Sequence, residues 1–253
     1  VIHLAARVHV MKDRAVDPLA EFRRVNTDGT LRLAEQAVAA GGKRFIFLST
    51  TKVTGELSPP SGFSETDPAR PEDGYGVSKW EAEQALLEIS KTTSMEVVIL
   101  RPPLVYGPGV KGNFLTLLKA VDRGTVLPLG AIQNQRSLIY VGNLADVIVT
   151  ATTHADAANQ TFFVSDEGTV STTSLIENIA ASLNKKPRLI NLPPGLLKFA
   201  GALTGKSGAI QRLIGSLTVD SGKIRSLLNW RPPFTMTEGL KLTADWWRSV
   251  KNK

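Results

Sequence analysis

Tyr75-Gly76-Val77-Ser78-Lys79 places a phenol and an ammonium four residues apart, the spacing that puts both on one face of a helix. A nearby ammonium favours tyrosinate, so the pair predicts a phenol pKa lowered from its free value near 10 toward a range useful to a general base. Alone the spacing is a weak signal: three tyrosines and 15 lysines in 253 positions produce about 0.2 such pairs by chance. Its neighbours strengthen it. Arg44-Phe45-Ile46-Phe47-Leu48-Ser49-Thr50 reads as a buried strand ending in two hydroxyls, and open parallel sheets bind ligands beyond the carboxyl ends of their strands. A hydroxyl there can hydrogen-bond a reacting alcohol while Tyr75 removes its proton. On spacing alone, two plainer readings stay open: an exposed helix face, and simple strand-end hydrogen bonding by Ser49 and Thr50.

The elements that must position these groups are legible upstream and downstream. Val1 to Ala5 is a short apolar run suited to a strand covered on both faces. Asp17-Pro18 predicts a helix cap with proline at the first helical position. The apolar stripe Leu19, Phe22, Leu33, Ala34, Ala37 and Val38 continues that helix to Gly41-Gly42. A Pro/Gly/Ser-rich loop covers about residues 54–72, followed by a helix over 74–90 and a strand over 97–100. This order of apolar strands and helices predicts an α/β fold with a parallel sheet and helical crossovers. From residue 107 the pattern loosens, with helices expected at 113–123, 143–153, 172–183 and 236–249, and strands at 137–141, 161–164 and 188–192. Residues 1–106 are therefore expected to form the main sheet domain. Residues 107–253 are expected to form a smaller α/β lobe interleaved with its last strands.

Composition narrows the function classes. Hydrophobic content of 42% and charged content of 21% are ordinary for a globular chain. With no cysteine there is no disulfide framework, thiolate metal site or thiol nucleophile, which accords with a reducing cytoplasm; no metal site is expected. The net charge of +7 suits an anionic ligand such as a diphosphate. Scattered cations and only 6% aromatic residues argue against a nucleic-acid partner. The most apolar late stretch, Leu189 to Leu203, is interrupted by Pro193, Pro194 and Lys198, so no membrane span is predicted.

Several ordered motifs resemble the extended short-chain dehydrogenase/reductases, in the branch of NAD-dependent epimerase/dehydratases. They are His3-Leu4-Ala5-Ala6, Asn26-x-x-Gly29-Thr30, Phe45 to Gly55, Tyr75-x-x-x-Lys79 and Arg101-Pro102-Pro103-Leu104-Val105-Tyr106-Gly107-Pro108-Gly109. The resemblance spans nearly the whole chain and implies a Rossmann-type doubly wound parallel sheet. It also implies Tyr75 as acid/base, Lys79 as the residue that tunes it and holds the nicotinamide ribose, and Thr50 as the residue that positions the substrate hydroxyl. Leu4, Ala5, Ala6 and Ser49 would flank the cofactor, and the Pro102 to Val105 backbone would face its carboxamide. Asn26 is either a helix brace or a catalytic relay. Asn113, Phe114 and Leu129 resemble nucleotide-contacting positions, and Arg136 resembles a phosphate-binding arginine with Arg212 as its partner, roles suited to a planar guanidinium fork. The cofactor implied is NAD, with NADP open. The partner is a nucleotide sugar, expected to be UDP-linked, in polysaccharide biosynthesis. A cytoplasmic homodimer paired through residues 18–40 and 74–91 is expected.

Departures from the family pattern matter as much. The glycine-rich phosphate loop is absent, Val1 reads as a strand already under way, and three strands are expected to precede it. The 253-residue chain by itself is therefore expected to bind cofactor weakly or not at all. Gly107-x-Gly109-x-x-Gly112 lies in the wrong context for a dinucleotide loop. Thr51-Lys52 stands where dehydratases resembling this chain carry Asp-Glu, which disfavours dehydration. Leu104 replaces an asparagine of many UDP-hexose epimerases, and Leu217 a large aromatic, which leaves room for an N-acetyl group. The leading expectation is 4-epimerisation of a UDP-hexose or UDP-N-acetylhexosamine. The alternatives are a 4-keto reductase of a UDP-deoxysugar, a steroid-type dehydrogenase suggested by Tyr140-Val141-Gly142-Asn143-Leu144-Ala145, and a non-catalytic family member.

Overall fold

A computed structural model describes residues 1–8, 15–205 and 207–251, apart from the side chain of residue 209. Four parallel strands form the main sheet in the order β1 (Ile2–His3), β2 (Arg44–Leu48), β3 (Glu96–Arg101) and β6 (Gln160–Phe163). The register runs Arg44 opposite Glu96 to Leu48 opposite Leu100, then Val98 opposite Gln160 to Arg101 opposite Phe163. Successive strand residues face opposite sides. Phe45, Phe47, Val97 and Ile99 pack on Ala34 and Ala37 of α2 (Gly29–Ala39) and on Ala82 and Leu86 of α3 (Gly74–Thr92). Ile46, Val98, Leu100 and Phe162 pack on Leu144, Val147 and Ile148 of α5 (Val141–Thr153) and on Ile224 of α9 (Gly222–Leu228). Apolar runs on both faces are what a doubly covered parallel sheet requires.

A third core belongs to the second half. There β4 (Leu104–Tyr106) pairs in parallel with β5 (Leu138–Tyr140), and Phe114 and Leu118 of α4 (Gly112–Asp122) meet Leu175, Ile176 and Ile179 of α6 (Thr172–Ser182). Beyond these lie α7 (Pro194–Leu203), α8 (Ser207–Ile214) and α10 (Met236–Lys251). Asp166 ties this region to the sheet: it accepts from Tyr106 Oη at 2.9 Å, from the Tyr140 amide and from Asn143 Nδ2 at 2.7 Å.

Four local expectations need correction. Strand β1 is two residues long, at the sheet's edge, with Ile2 47% and Leu4 54% exposed, so Val1 to Ala5 is not covered on both faces. The helix begun at Asp17, whose carboxylate accepts from the Ala20 amide, is not uniform: α1 (Pro18–Phe22) passes through a π-helical turn, Arg23–Asp28, before α2. The expected strand at 188–192 is a single bridge between Leu127 and Leu189, because Pro187 and Pro193 bracket it and remove amides. Helices α7, α8 and α9 lie outside the helices expected from sequence. No described helix is long and apolar enough to cross a membrane.

Candidate active site

Strands β2 and β3 stay paired past their ends. The Ser49 amide donates to the Leu100 carbonyl at 2.8 Å and the Thr51 amide to the Pro102 carbonyl at 3.1 Å, which carries Ser49 and Thr50 to the rim of the sheet. Thr50 caps the short helical turn Thr51–Val53. Helix α3 starts opposite, where the Asp73 carboxylate accepts from the Gly76 amide at 2.7 Å. Gly76 is required by packing: a Cβ there would sit 2.9 Å from the Lys52 carbonyl oxygen. That close approach seats Tyr75 against Thr50, and the two side chains are hydrogen-bonded.

The titration of the pair differs from the sequence expectation. Burial, reinforced by the Asp73 carboxylate, pushes the Tyr75 phenol up to about 12, and the hydrogen bond from Thr50 opposes this only in part. Burial pulls the Lys79 ammonium down to about 7, against the pull of Glu83. Desolvation, which penalises both charged forms, outweighs the attraction expected from helical spacing. Lys79 is 1% exposed, and its Nζ lies 3.7 Å from the centroid of the Phe47 ring. Among the described residues no hydrogen-bond acceptor is recorded for it. Ser49 Oγ is likewise buried without a partner.

Glu83, which the sequence reading did not single out, joins His3 and Lys52 around the pair. Glu83, one turn beyond Lys79 on α3, pairs with Arg101 at the end of β3, Nε to Oε1 at 3.0 Å and Nη2 to Oε2 at 2.5 Å. The spacing Tyr75, Lys79, Glu83 was available as a signal. His3 stacks on Phe47 at 5.8 Å, and its pKa is lowered by burial and by the Lys79 charge. Its Nε2 lies 2.9 Å from Thr30 Oγ1, whose single proton goes to the Asn26 carbonyl, so Nε2 carries the hydrogen. Lys52 bridges Glu56 at 2.8 Å and Asp73 at 2.5 Å, so the position of a dehydratase acid holds a paired cation.

Asn26 braces. Buried in the π-helical turn, it accepts from the Arg7 amide and donates to the Arg7 carbonyl and to Ser78 Oγ at 3.0 Å, and Ser78 Oγ in turn donates to the Tyr75 carbonyl. Leu4 and Ala5 are exposed and Ala6 half-buried, just past the end of β1. The Pro102 carbonyl is already engaged by Thr51, and Val105 lies in β4 beside Ile139.

The candidate substrate contacts divide. Asn113 is exposed at the start of α4, but Phe114 stacks on Tyr106 at 5.6 Å and Leu129 is 4% exposed, so both side chains are core and only their backbones can meet a ligand. Arg136 donates to the Arg212 carbonyl at 2.6 Å, and burial lowers its pKa. No carboxylate pairs with it among the described residues. Arg212 itself points elsewhere, to the Gly208 carbonyl at 3.2 Å and to Glu56 at 3.7 Å, so the structure joins the two arginines through backbone and not as a guanidinium pair. The glycines at 107, 109 and 112 all take positive φ between β4 and the first residue of α4. Among the described residues no cluster of acidic or histidine side chains could hold a metal ion.

Asp73 offers a test of these electrostatics. Asp73→Asn keeps a capping side chain and removes a charge that disfavours phenolate, so the ascending limb of the pH–rate profile is expected to move to lower pH. A limb that stays in place or rises would show that burial alone sets the Tyr75 proton affinity.

A family model described as "NAD dependent epimerase/dehydratase family" matches residues 1–164. A Vibrio cholerae protein named UDP-glucose 4-epimerase is 47% identical over 257 residues, covering 100% of this chain and 78% of its own. An Escherichia coli protein named N-acetyl-alpha-D-glucosaminyl-diphospho-ditrans,octacis-undecaprenol 4-epimerase is 28% identical, covering 91% of this chain and 73% of its own. The crystal structure of a UDP-glucose 4-epimerase from Thermotoga maritima with UDP-glucose superposes with a TM-score of 0.76 at 24% identity, covering 99% of this chain and 77% of that one. That likeness shows the fold, a Rossmann-type sheet with an added lobe.

Proposed function

This chain belongs to the NAD-dependent epimerase/dehydratase family of enzymes, and from that premise we propose that it catalyses 4-epimerisation of a UDP-linked hexose or N-acetylhexosamine. The observation that carries the reading is the Tyr75–Thr50 hydrogen bond at the sheet rim, with Lys79 one turn further along the same helix.

A nicotinamide dinucleotide fits the residues present. Ser49 Oγ is an unpartnered buried hydroxyl, and Lys79 Nζ is a buried donor in need of oxygen acceptors such as ribose hydroxyls. Leu4, Ala5, Ala6, Pro102 and Val105 supply backbone along the same rim. When bound, the cofactor supplies hydride acceptance at the sugar carbon and its return. Tyr75 Oη, after giving up its own proton to solvent, would accept the O4 proton as hydride leaves the sugar carbon and would return it to O4 when hydride comes back. Thr50 donates to Oη, stabilising the phenolate that forms when the proton is away, and Lys79 adds positive charge from below. Glu83 keeps that charge available by favouring the ammonium.

Arg136 is suited to the substrate's diphosphate because it is a largely desolvated guanidinium with only carbonyl partners. Asn113 and the backbones of Phe114 and Leu129 would border the nucleotide, with Arg212 at the margin. Leu217, whose amide donates to the Gln135 carbonyl beside Arg136, would leave space for an N-acetyl substituent. The same reading includes a homodimer built on residues 18–40 and 74–91.

The test is a turnover assay on the full-length protein. With catalytic NAD and either UDP-glucose or UDP-N-acetylglucosamine, the 4-epimer is expected to accumulate to equilibrium without net reduced cofactor. Stoichiometric consumption of NADPH by a 4-keto sugar would instead identify a reductase and overturn the epimerase reading.

A further inference from the structure

Glu56 stands between two cations from distant parts of the chain. Its Oε1 accepts from Lys52 Nζ at 2.8 Å and lies 3.7 Å from Arg212 Nη1. Lys52 belongs to the rim that carries Thr50 and also holds Asp73, Nζ to Oδ2 at 2.5 Å, whereas Arg212 belongs to α8 in the lobe. The two contacts are unequal. A guanidinium holds an oxyanion best through two parallel N–H donors at about 2.7–2.9 Å. Arg212 gives Glu56 one long contact, on an oxygen that already accepts from Lys52. Its Nε donates to the Gly208 carbonyl at 3.2 Å, and its side chain is 51% exposed. If Arg212 turns away, Glu56 keeps Lys52, and no carboxylate is stranded.

The backbone beneath this contact is fixed. The Ser58 amide donates to the Ser216 carbonyl at 3.1 Å, and the Thr218 amide to Ser58 Oγ at 3.0 Å. Residue 215 must be glycine to allow the approach: a Cβ there would sit 2.3 Å from Leu57 Cδ2 and 2.8 Å from the Gln211 carbonyl oxygen. Leu57, Gln211, Gly215 and Ser216 line a cavity of about 640 Å³, so Glu56 and Arg212 each adjoin a residue of its wall. The Arg212 carbonyl accepts from Arg136 Nη1 at 2.6 Å, which sets the main chain of residue 212 beside Arg136. Movement between Glu56 and a ligand on Arg136 therefore falls to the side-chain torsions of Arg212.

We propose that Glu56 sets the affinity of the nucleotide site: its carboxylate competes with the substrate's diphosphate for the Arg212 guanidinium and yields it when the diphosphate binds at Arg136. The inference rests on the reading of Arg136 and Arg212 as diphosphate contacts. A diphosphate offers Arg212 the paired oxygens that Glu56 does not, so the exchange favours the ligand. Breaking the Arg212–Glu56 pair is part of the binding free energy and weakens the observed affinity by that amount.

The test measures binding of UDP by calorimetry and of uridine by ligand-observed NMR, on the full-length protein at one ionic strength. Glu56→Gln keeps an acceptor for Lys52 and removes the charge that holds Arg212. It is expected to bind UDP about three- to fivefold more tightly than the parent, the fold-change of one partly exposed ion pair, and to bind uridine as the parent does. In an Arg212→Met background the same substitution is expected to gain nothing, because the contested guanidinium is gone. A Glu56→Gln protein with the parental UDP affinity, or a weaker one, would overturn the inference. So would a gain shared by uridine, which marks a change in the loop, or a gain that survives Arg212→Met, which makes Glu56 a repelling charge and not a competitor. Parent protein that binds UDP no better than uridine would remove the diphosphate site itself, and this inference with it.

Discussion

Tyr75→Phe is expected to reduce kcat by about 10²–10⁴-fold while leaving KM and the fold nearly unchanged. In the proposed mechanism the phenol, hydrogen-bonded to Thr50 at the rim, is the group that exchanges a proton with the sugar alcohol. Phenylalanine keeps the ring and its edge contact with Phe22, at 6.3 Å between centroids, so packing survives. The stability change comes from the loss of one hydrogen bond, about 1 kcal/mol. A chain of this size then loses roughly 2–4 °C in Tm. Epimerisation rates and a thermal melt on the same preparation check both halves. A variant that turns over at close to the parental rate would remove Tyr75 from the chemistry and with it the proposed mechanism.

The second large effect concerns a residue that never touches substrate. Glu83→Ala should destabilise the protein by about 3–5 kcal/mol, because it strands Arg101 inside the structure. The pair is bidentate, with side chains 1% and 7% exposed, and the guanidinium is walled by Phe163 at 5.6 Å and Trp80 at 6.0 Å. Water cannot replace the lost carboxylate without opening that wall. Roughly 10 °C of Tm should be lost. Glu83 also raises the Lys79 pKa, which already stands at about 7, so without it the ammonium is lost at a still lower pH. Activity that depends on the positive charge should therefore decline with rising pH sooner in the variant than in the parent. Glu83→Leu combined with Arg101→Met separates the two roles: it should recover most of the stability and leave Lys79 just as depressed. A single variant that melts with the parent would show that the buried pair contributes little.

These two residues also mark the limits of sequence reading. Tyr75, Lys79 and Glu83 lie on consecutive turns of one helix, and that alignment follows from local geometry alone. So do the Asp17 cap, the apolar strands at 44–48 and 96–101, and the break of the late apolar stretch at Pro193-Pro194. Each depends on residues within about four positions of one another, where backbone sterics and side-chain periodicity act directly. The family motifs extended this reach to Arg136, whose partner is far away in the chain.

What required three dimensions was the sign and strength of each environment. Helical spacing predicted a more acidic phenol, and burial reversed that, because desolvation depends on everything packed around Tyr75 and not on its neighbour four residues away. Phe114 and Leu129 carried family positions but are core side chains, since the lobe closes around them from segments up to about a hundred residues distant in the chain. Arg212 turns toward Glu56, a residue in the loop before α3, which no periodicity links to it. The sequence by itself thus determined which helix carries Tyr75, Lys79 and Glu83 and how they are spaced along it. Only the tertiary structure decided which charges survive there, because the energy of a charge inside a protein is set by the dielectric and the partners that distant segments bring to it.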